Sequence, residues 1–227
     1  MRNSLGNCFW ELEEHEDALR NYKEAIKRRQ KSSKNRKPDG VLALFHADAG
    51  KFLYSLDRFM EATTELEISK EIYNEIDDPE LASTAHWLGD CFRELGKQED
   101  ASKNYEEAIE KWRKASKNPK IDGKLALFHE DAGECLYNLE RFKEAITEFE
   151  IAKDIYKKRD VPCFAHTAKR SGDCFTQLQK CEYASKNYMI AIERRQQSCN
   201  EPKNDFMLAS FHDDAGECAF WRDLKKQ

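Results

Sequence analysis

Small and apolar residues recur along this chain in steps of three and four, with charged residues filling the intervals. The clearest case is Ala-x-x-x-Tyr-x-x-Ala, at Ala101, Tyr105 and Ala108 and again at Ala184, Tyr188 and Ala191. Those steps put all three side chains on one helical face. No segment alternates convincingly in the period of two that marks a strand. The pattern predicts eleven helices, paired as helix–turn–helix hairpins. Turns fall at Glu13-Glu14-His15, Leu95-Gly96-Lys97 and Leu139-Glu140-Arg141. Asp39-Gly40, Asp78-Pro79, Asp122-Gly123, Val161-Pro162 and Glu201-Pro202 mark the connections between hairpins.

The pattern is a repeat. LGNCF at Leu5–Phe9 returns as LGDCF at Leu88–Phe92 and as SGDCF at Ser171–Phe175, 83 residues apart each time. FH-x-D-A-G occurs at Phe45–Gly50, Phe128–Gly133 and Phe211–Gly216 with the same spacing. Between residues 5–50 and 88–133, 29 of 46 positions are identical, so one unit has been duplicated in tandem. Each unit splits again at Gly6, Gly50, Gly89, Gly133, Gly172 and Gly216, spaced alternately by 44 and 39 residues. Twelve residues after a Gly comes Ala18, Ala62, Ala101, Ala145 or Ala184. Sixteen after it comes Tyr22, Leu66, Tyr105, Phe149 or Tyr188, and nineteen after it Ala25, Ser69, Ala108, Ala152 or Ala191. Small residues let two helices approach closely, and the large one fills the gap they leave.

Gly, an apolar residue at +3, Ala at +12, an aromatic at +16 and Ala at +19 together resemble the tetratricopeptide repeat. The resemblance covers essentially the whole chain: repeats at about 1–38, 39–78, 79–121, 122–161 and 162–204, and a half repeat or cap at 205–227. Standard repeats have about 34 residues and a closing Pro; here Gln30, Asn74, Arg113, Lys157 and Gln196 stand in that place. Longer second helices are therefore expected, as in LGN/Pins-type polarity adaptors and kinesin light chains. Leu125–Phe142 also resembles subunits that dock outer-arm dynein on cilia. The resemblance implies a single all-α domain, a right-handed α-solenoid of antiparallel helix hairpins. It also implies a non-catalytic scaffold that binds a peptide or helical segment in its concave groove. A docking subunit of a cytoskeletal or ciliary assembly is the alternative.

By the same resemblance, groove-facing residues stand three before, one after and four after each Gly. Three before are Asn3, Ala47, His86, Glu130, Lys169 and Asp213. One after are Asn7, Lys51, Asp90, Glu134, Asp173 and Glu217, and four after are Trp10, Tyr54, Arg93, Tyr137, Thr176 and Phe220. Glu130, Glu134, Asp173, Asp213 and Glu217 make the C-terminal half acidic, which suits a basic or amphipathic protein partner. The carboxylate clamp for chaperone tails is absent. Asn7 fits one of its slots, but Asn3, Lys51, His86 and Asp90 replace its other residues.

Composition narrows the rest. The 227 residues are 36% charged and 11% aromatic, with a net charge of −5, which excludes a globally basic nucleic-acid binder. The strongest basic run, Lys27–Lys37, with weaker versions at Lys111–Lys120 and Arg194–Arg195, reads as a solvated helix end, so nucleic acid is not an expected partner. The longest pure apolar run is Val41–Phe45, far short of the roughly 18 residues of a membrane span. A cytoplasmic protein is expected. Five of eight cysteines (Cys8, Cys91, Cys135, Cys174 and Cys218) sit two residues after a Gly, as small core residues would, and Cys163, Cys181 and Cys199 lie outside that pattern. His46, His129 and His212 share one slot, but stacked hairpins hold them at least about 20 Å apart. Zinc binds imidazole at about 2.1 Å, so no single ion gathers them, and a packing or hydrogen-bonding role is expected. No phosphate loop, nucleophile elbow or metal-ligand spacing occurs, so no enzyme activity and no cofactor are expected. Gly6 stands close to the start and Phe211–Trp221 lacks a second helix, so the chain reads as part of a longer protein.

Overall fold

The computed structural model describes residues 2–32, 39–198 and 206–224, with side chains over 15–31, 39–197 and 207–216. Every regular element among them is helical. The chain divides into two compact units, Met1–Lys111 and Trp112–Gln227. In the first, α1 (Arg2–Ser32) is followed by a hairpin of α2 (Gly40–Ser55) and α3 (Phe59–Glu75). A second hairpin pairs α4 (Glu80–Glu94) with α5 (Gln98–Ala115), whose last turn extends into the second unit. The second unit continues with a 3-10 turn at Pro119–Ile121, then α6 (Gly123–Asn138) and α7 (Phe142–Arg159). α8 (Cys163–Gln177) and α9 (Cys181–Ser198) follow, and α10 (Phe206–Leu224) packs on α9.

The repeated slots hold each hairpin together. A Cβ on Gly89 would stand 2.5 Å from the Tyr105 ring, and one on Gly172 would stand 2.6 Å from Tyr188. The helix backbone thus lies directly on the aromatic sixteen residues later, closer than any side chain allows. Ala101, Tyr105 and Ala108 are wholly buried, as are Ala145, Phe149 and Ala152. Two of these aromatics also bond within their own repeat: the Tyr105 hydroxyl donates to Asp90 at 2.8 Å and that of Tyr188 to Asp173 at 3.0 Å. Two histidines of the FH motif bridge their hairpins. His46 Nδ1 lies 2.6 Å from Glu65 and His129 Nδ1 2.5 Å from Glu148. Successive second helices are tied by Lys70, which donates to Asn104 at 2.8 Å, and by Lys153, which donates to Asn187 at 2.9 Å.

Turns and caps follow the sequence marks. Asp39 accepts from the Val41 amide at the start of α2, and Asp122 from those of Lys124 and Leu125 at the start of α6. Hairpins close on a left-handed residue: Asp57, Gly96, Glu140 or Gln179.

One expectation fails. Glu13 occupies the slot of those turn residues, yet α1 runs unbroken through Glu13-Glu14-His15. Ten α-helices therefore stand among the described residues where eleven were expected. The stretch has neither Gly nor Pro, and its glutamates favour helix. On α1, Ala18, Tyr22 and Ala25 are only half-buried, although their counterparts elsewhere are sealed; Leu19 and Ile26 are the buried residues instead.

Candidate functional site

In the second unit the first helices of the repeats, α6, α8 and α10, border a cleft of about 410 Å³. Met207 and Phe211 supply its apolar side; Glu134, His166, Lys169, Arg170 and Ser210 supply its polar side. Four of the expected residues meet here. Glu134 and Tyr137 come from α6, and Lys169 and Asp173 from α8. Arg170 forks onto both carboxylate oxygens of Glu134, donates to Asp173 at 3.0 Å, and lies 4.4 Å from the centre of the Tyr137 ring. Lys169 lies 3.0 Å from Asp173 and 3.2 Å from Asp214.

Glu130 stands deeper, with 9% of its surface exposed. It accepts from Tyr156 at 2.8 Å and Thr167 at 2.9 Å, and His166 Nδ1 lies 3.1 Å away. The His166 pKa is raised, first by its hydrogen bond to Glu130 and then by that carboxylate's charge, against the opposing effect of burial. Burial pulls the Lys169 and Arg170 pKa values down, but the paired carboxylates outweigh it and both end raised. Burial, then Glu130, raises the Tyr156 phenol.

This differs from a row of carboxylates offered to a ligand. Glu130 and Asp173 are buried because hydroxyl donors from the second helices need acceptors inside the unit. Glu134 is matched by Arg170. Asp213 is exposed, while the side chains of Asn7, Trp10 and Glu217 lie outside the described residues. Reading only three slots per repeat passed over His166, Arg170, Met207 and Ser210. Arg170 stands two before Gly172 and His166 six before it, one helical turn from the slots that were read. Extending the three- and four-residue steps by that turn finds both.

The first unit places Lys51 and Tyr54 on α2 and His86, Asp90 and Arg93 on α4. Tyr54 meets Trp87 edge to face at 5.3 Å. Trp87 occupies the slot of Arg170, so the same tyrosine position is covered by an indole in one unit and a guanidinium in the other. Asp90 is buried and collects the Tyr105 hydroxyl, with Arg93 at 3.3 Å and His86 at 3.6 Å. In the basic run, Arg28 pairs with Glu24 at 2.8 Å and Arg29 with Asp39 at 2.5 Å; residues 33–38 lie outside those described.

Cys91, Cys135 and Cys174 are fully buried and form no disulfide. Burial pushes the Cys91 and Cys174 thiols up to about 12, which leaves almost no thiolate at neutral pH. Among the described residues no helix is long and apolar enough to cross a membrane.

Comparison with known proteins agrees with this architecture. Tetratricopeptide repeat family models match residues 40–114 and 1–32. No curated protein matches the chain in sequence. Among solved structures, BtubC (BKLC) from P. vanneervenii superposes with a TM-score of 0.69 at 15% identity, over 92% of this chain and 84% of that one. A putative kinesin light chain of Podosopora anserina, with nearly identical TPR-like repeats, gives 0.65 at 10% identity over 80% and 87%. MamA gives 0.63 at 16% identity over 85% and 87%. The chain carries tetratricopeptide repeats, matched by the family models over residues 1–32 and 40–114, and has the all-α solenoid fold of that class, which generally serves as a protein-interaction scaffold.

Proposed function

We propose that the chain is a non-catalytic cytoplasmic scaffold that holds a peptide or helical segment of a partner protein against the first-helix faces. The observation that carries this reading is the cleft between α6, α8 and α10. It joins an apolar side, Met207 and Phe211, to charged groups fixed by one another. Groups held in place lose little freedom when a ligand arrives, which is how a rigid surface binds well. Lys169 and Arg170, with His166 beside them, face four carboxylates across the cleft, so attraction for a basic segment is weaker than the acidic residues alone imply. Shape and hydrogen bonding do more of the selection, and exposed Asp213 leaves a modest bias toward basic partners.

A docking role in a cytoskeletal assembly is the second reading. The likeness of its fold to putative kinesin light chain repeats favours it. Such contacts would use second-helix surfaces, for example exposed Tyr183 and Met189 on α9.

Partners retained by the intact chain, once identified, separate the two. Met207→Glu and Tyr137→Ala should weaken binding at least about tenfold, the cost of losing a central contact. Tyr183→Glu with Met189→Glu should leave it unchanged. The opposite pattern favours docking, and binding indifferent to both pairs ends the groove reading.

A further inference from the structure

A second cleft, of about 610 Å³, lies between α7, the start of α6 and the 3-10 turn, and shares no residue with the first. Its volume is ordinary for a binding site. Leu125 and Ile155 form a buried floor, and half-buried Ile146 and Ile151 present aliphatic surface above it. The wall comes from residues that the 44-residue spacing adds over the 39-residue one. It is pinned: Ser116 Oγ donates to Asp122 at 2.6 Å, and Arg159 donates to the Ile121 carbonyl at 2.9 Å. The cleft is therefore formed before anything binds.

Its charges do not balance. The lining carboxylates are engaged, Asp154 by Lys158 at 2.6 Å and Glu150 by Lys153 at 2.5 Å. Arg113 and Lys120 are exposed on the rim, with no carboxylate within ion-pairing distance among the described residues. We infer that this cleft docks an acidic–aliphatic segment of a partner protein. Its aliphatic side chains would sit on Ile146 and Ile151, and a carboxylate would face Arg113 and Lys120. The sign of the uncompensated charge excludes a basic segment. A peptide suits the cleft better than a free acyl chain because Arg113, Lys120, Thr147 and Lys158 are all exposed. The opening would leave an acyl chain half wet, whereas a peptide brings its own cover.

The test uses the full chain with 13C-methyl isoleucine and methionine. The probes are an acetylated hexapeptide alternating leucine and aspartate, the same peptide with lysine for aspartate, and decanoate. The acidic peptide should shift the Ile146 and Ile151 methyls saturably and leave Met207 still. Affinity should fall about tenfold for the lysine peptide and for R113E/K120E, since each rim pair is individually weak. K120E alone, at an exposed turn, should show a smaller loss and guards against disturbance of α5 by R113E. No shift at millimolar peptide, equal response to both peptides, no loss in the variants, or a stronger response to decanoate would each overturn the inference. Met207 reports the first cleft separately, so failure here leaves the groove reading intact.

Discussion

Gly89 and Tyr105 show most directly how one residue type dictates another. A Cβ at Gly89 would overlap the ring, so Gly89→Ala must push the helices of that hairpin apart. Chemical denaturation should register a loss of about 1–3 kcal/mol. Gly216 has the same place in the repeat but no heavy atom within 4 Å of its Cβ direction. Gly216→Ala should therefore be neutral or stabilising by up to about 1 kcal/mol. Equal losses at both sites would mean the close approach is not what the glycine provides. His166 gives a pH signature. Its folded pKa is raised by Glu130, so its contribution is complete below the ordinary imidazole value of about 6.5 and fades as pH rises through the folded value. Thermal melts of the wild type should lose stability between mildly acidic and mildly alkaline pH, and His166→Asn should flatten that slope. Both glycine and tyrosine slots were legible in the sequence, because they recur sixteen residues apart. The role of His166 was not, because its partner lies 36 residues away on another helix.

At the scale of elements, caps and turns decide where helices begin and end. Asp122 caps α6 and also accepts from Ser116, anchoring the segment that walls the second cleft. Asp122→Ala should cost about 1–2 kcal/mol in denaturation experiments. It should also raise amide exchange at Lys124 and Leu125; unchanged exchange there would contradict the capping role. Asp39, Asp122 and the Pro-marked connections were readable because local chemistry sets them. The turn expected at Glu13 was inferred by analogy between repeats, and the analogy broke. Glu140 takes the left-handed conformation with α6 and α7 packed against each other, whereas Glu13 lies within one continuous helix. Local propensity for helix prevailed where repeat position alone suggested a turn.

At the scale of the molecule, each unit spreads its repeated side chains along a stack and does not gather them at one centre. His46 and His129 each meet a glutamate of their own hairpin, and Cys91, Cys135 and Cys174 are each sealed within their own repeat. Such a body presents surfaces, which is why its proposed work is binding. The sequence by itself determined the all-α class, the repeat period, the Gly–aromatic contacts and most helix ends. These depend on spacing along one chain segment, where 3.6-residue periodicity and capping chemistry act locally. Only the tertiary structure decided which charges remain available. Glu134 was readable as an acidic position, but Arg170 stands 36 residues away and comes to its side through hairpin packing. The second cleft also appeared only once the added loop had folded onto α7. Ion pairs and cavities belong to distances in space, and residue spacing along the chain does not encode them.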